Sequence, residues 1–310
     1  MSLNIFCPEG RLLGTEGNLK KTATPMSLTE AEAKEDILEG VAVMCDADHN
    51  LIVDLGCMKG IIPRNEGAIG IEEGTVRDIA LITRVGKPVS FTVKRVCTGA
   101  GGKPYAELSR KSAQIKCMEQ FLKLKPPGSV IDAKVTHLET FGAFCDIGCG
   151  IIALLPIDAI SVSRISHPKD RFSVGDDIKV IIKSVDSDGR ITLTHKELLG
   201  NWQENADFFK EGQTVSGIIR SVESYGIFVE LAPNLAGLAE PKFGAESGMQ
   251  ASVYIKSIIP EKMKVKLIII DSFFGDRVNS IKYFYNENKM DFWRYSPENC
   301  HKNIFTDFTV

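Results

Sequence analysis

The sequence predicts an all-β chain of three tandem five-stranded barrels linked by short helices. One stretch recurs. Thr140-Phe141-Gly142-Ala143-Phe144-Cys145-Asp146-Ile147-Gly148 returns as Ser224-Tyr225-Gly226-Ile227-Phe228-Val229-Glu230-Leu231-Ala232, and in worn form as Asp48-His49-Asn50-Leu51-Ile52-Val53-Asp54-Leu55-Gly56. The spacing around it is constant: Asp36, Gly128 and Gly212 each stand thirteen places before His49, Phe141 and Tyr225, and eighteen before Asp54, Asp146 and Glu230. Between these landmarks, short alternating apolar runs are broken by Gly, Asn, Asp and Pro, the pattern of short strands and tight turns.

Taken in order, residues 1–35 form an N-terminal extension, a polar arm followed by Ser27-Leu28-Thr29-Glu30, which has capping-box spacing for a short helix. The first barrel spans 36–111. A linker helix over 112–127 places Ile115, Met118 and Leu122 on one face and ends at Pro126-Pro127-Gly128. The second barrel spans 128–197. Its last turn, Asp186-Ser187-Asp188-Gly189-Arg190, joins apolar runs at 178–185 and 191–194, and Asp-Gly in that setting is a hairpin signal. Stretches beginning at Gly86, Gly175 and Gly248 register against one another, so each unit ends with a fourth and a fifth strand. Five strands in about seventy residues, with glycine at the bends, fit a closed Greek-key barrel of the OB type. A second linker helix covers 198–211, and the third barrel 212–273. Residues 274–310 carry too many aromatics for a disordered tail and are expected to fold back on the third barrel; a separate stacking surface is the other reading.

Bulk properties narrow the function. At 310 residues, 44% apolar and 25% charged, the chain suits two to four modules with real cores. No apolar run reaches membrane-spanning length, and the N-terminus lacks the basic start and apolar core of a signal peptide, so a cytoplasmic protein without a membrane partner is expected. None of the eight cysteines falls in Cys-x-x-Cys spacing, which reads as thiols without a metal or disulfide role. A net charge of -3 excludes a general polyanion coat; nucleic-acid binding would have to rest on specific contacts.

With the repeat, the Phe-Gly-Ala-Phe hairpin and the Asp-x-x-Gly-Arg turn in place, the chain resembles the S1-type RNA-binding domain in three copies over roughly 36–273, and as a whole resembles bacterial proteins of the ribosomal protein S1-like family. The resemblance implies a face that holds single-stranded RNA through two hairpin aromatics, a third-strand histidine, and an Asp and Arg near the last turn. In the second unit these are Phe141, Phe144, Asp186 and Arg190, with Pro156 at the histidine place. The third has Tyr225 and Phe228, Glu240 for the histidine, Lys264 near the arginine place, and Ile259 or Pro260 against the aspartate. The first has His49, Ile52, Pro63 and Cys97 at those places, with Lys103 or Tyr105 near the arginine place, and has lost most of the site. The partners implied are single-stranded RNA, messenger RNA above all, and the small ribosomal subunit. No cofactor, small-molecule substrate or catalytic residue is expected.

The chemistry supports that set of residues independently. Two aromatics around a Gly-Ala turn offer flat faces to bases, each stacked base contributing roughly 1–3 kcal/mol without sequence preference. Lys183 and Arg190 can meet phosphates, and Asp186 can orient Arg190 or accept from a 2′-hydroxyl. Core burial is the competing reading for an isolated Phe, and a plain turn with solvated charge for Asp186 and Arg190. Other motifs fail on spacing. Asp46-Ala47-Asp48-His49-Asn50 lacks the glycine and glutamate of a calcium loop, and Gly99-Ala100-Gly101-Gly102-Lys103 lacks the Ser or Thr and helix of a phosphate loop. A protein-interaction scaffold docking on the ribosome or a ribonuclease through the first barrel and the C-terminal segment is the alternative. An RNA-processing enzyme is disfavoured, because the repeats leave no room for a catalytic domain.

Overall fold

A computed structural model of the chain describes residues 6–275 and 281–309. Two helices, α1 (Glu16–Thr22) and α2 (Pro25–Ala33), precede the first barrel. That barrel contains β1 (Ile37–Cys45), β2 (Leu51–Asp54), β3 (Lys59–Ile62), β4 (Pro88–Thr98) and β5 (Pro104–Ser109), with α3 (Ile79–Ile82) between β3 and β4. Helix α4 (Arg110–Gln120) leads to the second: β6 (Val130–Glu139), β7 (Gly142–Asp146), β8 (Ile152–Pro156), β9 (Asp177–Val185) and β10 (Ile191–Thr194). Helix α5 (Trp202–Ala206) leads to the third: β11 (Thr214–Glu223), β12 (Gly226–Ala232), β13 (Leu235–Ala239), β14 (Gln250–Ile259) and β15 (Lys264–Phe273). A ribbon of β16 (Phe292–Arg294) and β17 (Phe305–Asp307) follows.

All three barrels close with the strand order one-two-three-five-four, as tandem OB-type folds. Closure comes each time from a parallel pairing of third and fifth strands: Gly60 with Ala106, Leu154 with Thr192, Leu238 with Lys266. Bulges in β1 between Ala42 and Met44 and in β11 between Ile219 and Ser221 supply the bend a small barrel needs. The period of two is plain along β15, where Val265, Leu267 and Ile269 are buried while Lys264, Lys266 and Ile268 face out.

The chain divides into two compact units, one of residues 1–125 with 132–134 and 146–152, the other of 126–131, 135–145 and 153–310. In the first, the N-terminal extension is held by buried carboxylates. Glu39 accepts from the backbone N–H groups of Gly10, Leu12 and Leu13, and Asp146 from those of Glu9, Gly148 and Gly150. Burial and the neighbouring Glu9 push the Asp146 carboxyl up to about 7, against the pull of those N–H donors. Glu9 in turn forms a buried two-point pair with Arg110, at 2.7 and 3.1 Å. Helix α2 starts earlier than its sequence suggests. Thr24, not Ser27, is the N-cap, in a reciprocal box with Ser27, because Pro25 is already suited to the first helical turn.

In the second unit the C-terminal segment folds back as expected. Met290, Trp293, Tyr295 and Phe308 are buried in one cluster with Ile219, Val229 and Val253 of the third barrel. It also reaches the second barrel: Met290 N–H donates to Gly128 O at 2.9 Å, and Val130 N–H donates to Asn288 O. His195, just after β10, is fully buried, with Nδ1 2.9 Å from Ile160 O and Nε2 3.3 Å from the Tyr283 hydroxyl.

Candidate nucleic-acid interface

The aromatic hairpins are built the same way twice. Ala143 and Cys145, and in the third barrel Ile227 and Val229, fill the core positions completely, so Phe144 and Phe228 between them must face outward. Glycine between the rings is required by contact: a Cβ on Gly142 would stand 2.5 Å from Leu155 O, and one on Gly226 2.8 Å from Ala239 O. The turn can therefore lie against the third strand and throw the preceding ring into solvent. Phe141 is 54% exposed and Tyr225 66%. Core burial is thus excluded for the outer rings, while Phe144 and Phe228 are half-buried.

Phe141 and Phe144 lie 6.0 Å apart at 89°, and Tyr225 and Phe228 lie 6.2 Å apart at 87°. The rings are not parallel platforms but the two sides of a corner. Bases resting on both would have to turn through that corner. His137 of β6 adds a ring 6.3 Å from Phe144 at 29°, with Nε2 2.7 Å from Glu139. The sequence allows His137 to face RNA from the first strand or to be a plain surface histidine; its place beside Phe144 depends on how β6 pairs with β7.

Cross-strand neighbours extend the face. In the third barrel the row runs Ser221, Phe228, Leu238, Lys266, Ser257. Lys266, missed in the sequence, therefore stands two strands from Phe228, about 10 Å away and on the same side as Lys264. The Lys-Val-Lys alternation was the signal that could have found it. In the second barrel Leu154, Thr192 and Ser184 form the matching row. The first barrel has Met44, Ile52, Ile61, Glu107 and Arg95 there, and its only charges cancel in a pair with two 2.8 Å bonds. That row has no ring to stack on.

The β9–β10 hairpin carries Lys183, Asp186 and Arg190. Asp186 Oδ1 accepts from the backbone N–H of Asp188 at 2.9 Å and of Arg190 at 2.8 Å, so it shapes the turn rather than orienting the Arg190 guanidinium. That guanidinium stands exposed at the tip, 3.8 Å from Asp188. Lys183 and Lys264 are also exposed. Asp46 shapes the β1–β2 turn identically, through the N–H groups of Asp48 and Asn50, which accounts for its calcium-loop look.

A groove of about 530 Å³ lies against Tyr225 and Phe228, walled by Arg164 and Ile165 of the β8–β9 connection and by Tyr295 and Lys302 of the C-terminal segment. The connection is held there by Arg171, whose guanidinium meets both oxygens of Glu230 at 2.7 and 2.5 Å in full burial. Among the described residues no His, Cys, Asp or Glu cluster could hold a metal, and no helix is long and apolar enough to cross a membrane.

Residues 125–196 match the S1 RNA binding domain family. The second barrel is an S1 domain. The chain is 34% identical over 227 residues to the small ribosomal subunit protein bS1 homolog of Bacillus subtilis, covering 71% of this chain and 54% of that protein. It is 36% identical over 164 residues to small ribosomal subunit protein bS1 of Staphylococcus aureus strain COL, covering 49% and 42%. The chain spans about half the length of these relatives. A solved multidomain protein with nucleic acid binding domains from Streptococcus pneumoniae shares 15% identity across 79% of this chain and 76% of its own, at a TM-score of 0.26. The family match covers the second barrel, and the first and third share its strand order.

Proposed function

We propose that this chain binds single-stranded RNA, without catalysing a reaction on it, in translation or ribosome-linked RNA metabolism in the cytoplasm. Messenger RNA and the small ribosomal subunit are its partners in this reading. The observation that carries it is the duplicated corner of exposed and half-buried rings on the second and third barrels, on faces whose core positions are already filled. Such rings accept any base at roughly 1–3 kcal/mol each. Lys183, Arg190, Lys264 and Lys266 supply phosphate contacts on the same two barrels, which suits a chain of mild net charge.

The test is titration of a pyrimidine-rich single strand into the full chain carrying Phe141→Ala with Phe144→Ala. Affinity is expected to fall at least about tenfold, the loss of one or two stacked bases. Unchanged binding removes the stacking reading.

The first barrel favours a second role, as a protein-docking face, because its row carries Met44, Ile52 and Ile61 where the other two carry a ring, and its two charges cancel. The C-terminal half of the scaffold idea is narrower, since Trp293, Tyr295 and Phe308 are buried, while Phe292 and Phe305 present an exposed ring pair 5.7 Å apart. Met44→Asp on the exposed row would abolish ribosome co-sedimentation and leave RNA affinity intact if the first barrel docks the chain.

A further inference from the structure

The groove against the third barrel differs from the open corner on the second. Its floor is the ring pair Tyr225 and Phe228, but its walls come from outside that barrel. One wall is the connection between β8 and β9, the Ser163-Arg164-Ile165-Ser166 stretch. It is fixed by Ser163 N–H on Pro233 O at 3.1 Å and by Val162 N–H on Asn234 Oδ1 at 2.9 Å. The other is the C-terminal segment, fixed by Tyr295 Oη on Asn234 O at 2.6 Å. Asn234 thus anchors both walls, and its amide also donates to Lys196 O and Gly200 O.

The size and charge of this space select an occupant. A volume of about 530 Å³ lies in the range that encloses a small organic ligand, so it admits one nucleotide and not a duplex. At the rim stand the exposed cations Arg164 and Lys302, one from each wall, with Glu223 as the opposing charge. Arg220, which also lines the space, is already neutralised by Glu230 at 2.8 Å and Asp170 at 3.7 Å. Aromatic floor and cationic rim are the two things a nucleotide needs: a face for the base and donors for the phosphates on either side.

We propose that the groove is a walled pocket for one nucleotide of a single-stranded RNA, shared by the second barrel, the third barrel and the C-terminal segment, with Arg164 and Lys302 gripping its phosphates. The proposal rests on the RNA-binding reading above and adds to it: the third barrel does not bind as an isolated domain but through a site completed by its neighbours. Neither cation belongs to the constellation that the S1 resemblance carries over.

The experiment is a salt series of labelled oligouridine binding to the full chain and to Arg164→Ala with Lys302→Ala. Both side chains are exposed, so the thermal melt should not move. Affinity is expected to fall about tenfold, and the slope of log K against log salt to become shallower by about 1.4, the loss of two phosphate contacts at about 0.7 each. Arg164→Lys should retain the parent slope, since it keeps the charge. Parent-like affinity and slope in the double variant overturn the pocket. If Tyr225→Ala then still weakens binding, the rings bind RNA without their walls. If Tyr225→Ala and the Phe141, Phe144 pair also bind as the parent does, the RNA reading itself falls.

Discussion

Asp54, Asp146 and Glu230 occupy one place in the repeat and do three different things. Asp54 is exposed and accepts a single N–H, from Gly56 at 2.8 Å. Asp146 is buried and accepts three, one of them from Glu9. Glu230 is buried between two arginines, Arg171 and Arg220. Removing the charge of Glu230 leaves the Arg171 guanidinium in a dry site without this counter-ion and Arg220 with Asp170 at 3.7 Å. Glu230→Gln is therefore expected to destabilise the chain by about 3–5 kcal/mol, measured from the denaturant midpoint. Asp54→Asn, at the same repeat position, should change it by no more than about 0.5 kcal/mol. The repeat position was legible in the sequence; the partners that set Asp146 and Glu230 apart, Glu9 and Arg171, were not, because they come from chain segments far away. The outward rings were legible, since Ala143 and Cys145 on either side of Phe144 already mark the core face.

Among the elements, strands were read well and caps less so. Alternation specifies strand faces from near neighbours alone, whereas Thr24 wins over Ser27 as N-cap through the placement of Pro25. The segment after β10 shows an element whose state depends on what covers it. Burial holds the His195 imidazole down to about 4, and it is neutral in the fold, between Ile160 O and the Tyr283 hydroxyl. In the unfolded chain it takes a proton near 6.5. The unfolded state thus binds the extra proton between those values, and the stability due to neutral His195 is complete above about pH 6.5 and lost as pH falls toward 4, on the order of 3 kcal/mol in all. His195→Gln lacks this titration. The stability gap between parent and variant should narrow steadily from about pH 6.5 to about 4 in denaturant melts, and an imidazole titration by NMR should show no protonation near 6.5.

At the scale of the whole molecule, the C-terminal segment is part of the second unit's core rather than an appendage. Met290, Trp293, Tyr295 and Phe308 sit with the third barrel's interior, and Tyr283 and Phe284 reach the end of the second. A chain cut before residue 282 loses all of these. Large buried aromatics cost about 3–5 kcal/mol each when removed, so the melting temperature should fall by at least about 10 °C and apolar dye binding should rise. An unchanged melt would mean the segment is not part of the core.

By itself the sequence determined the all-β class, three barrels of five strands, the glycine-centred hairpins and the side on which their rings stand. These depend on period two and on turn chemistry, which act between residues a few places apart. Tertiary structure alone decided that the rings meet at right angles, that Asp186 holds a turn rather than a guanidinium, and that the third barrel's face is walled by two other segments. The walls rest on partners that are distant in the chain, such as Arg171 with Glu230 at 59 residues, and the N-terminal extension is held in the same way, by Glu9 with Asp146 at 137 and Arg110 with Glu9 at 101. Such pairs leave no periodic trace in the sequence, and only the packed chain brings them within reach of a hydrogen bond.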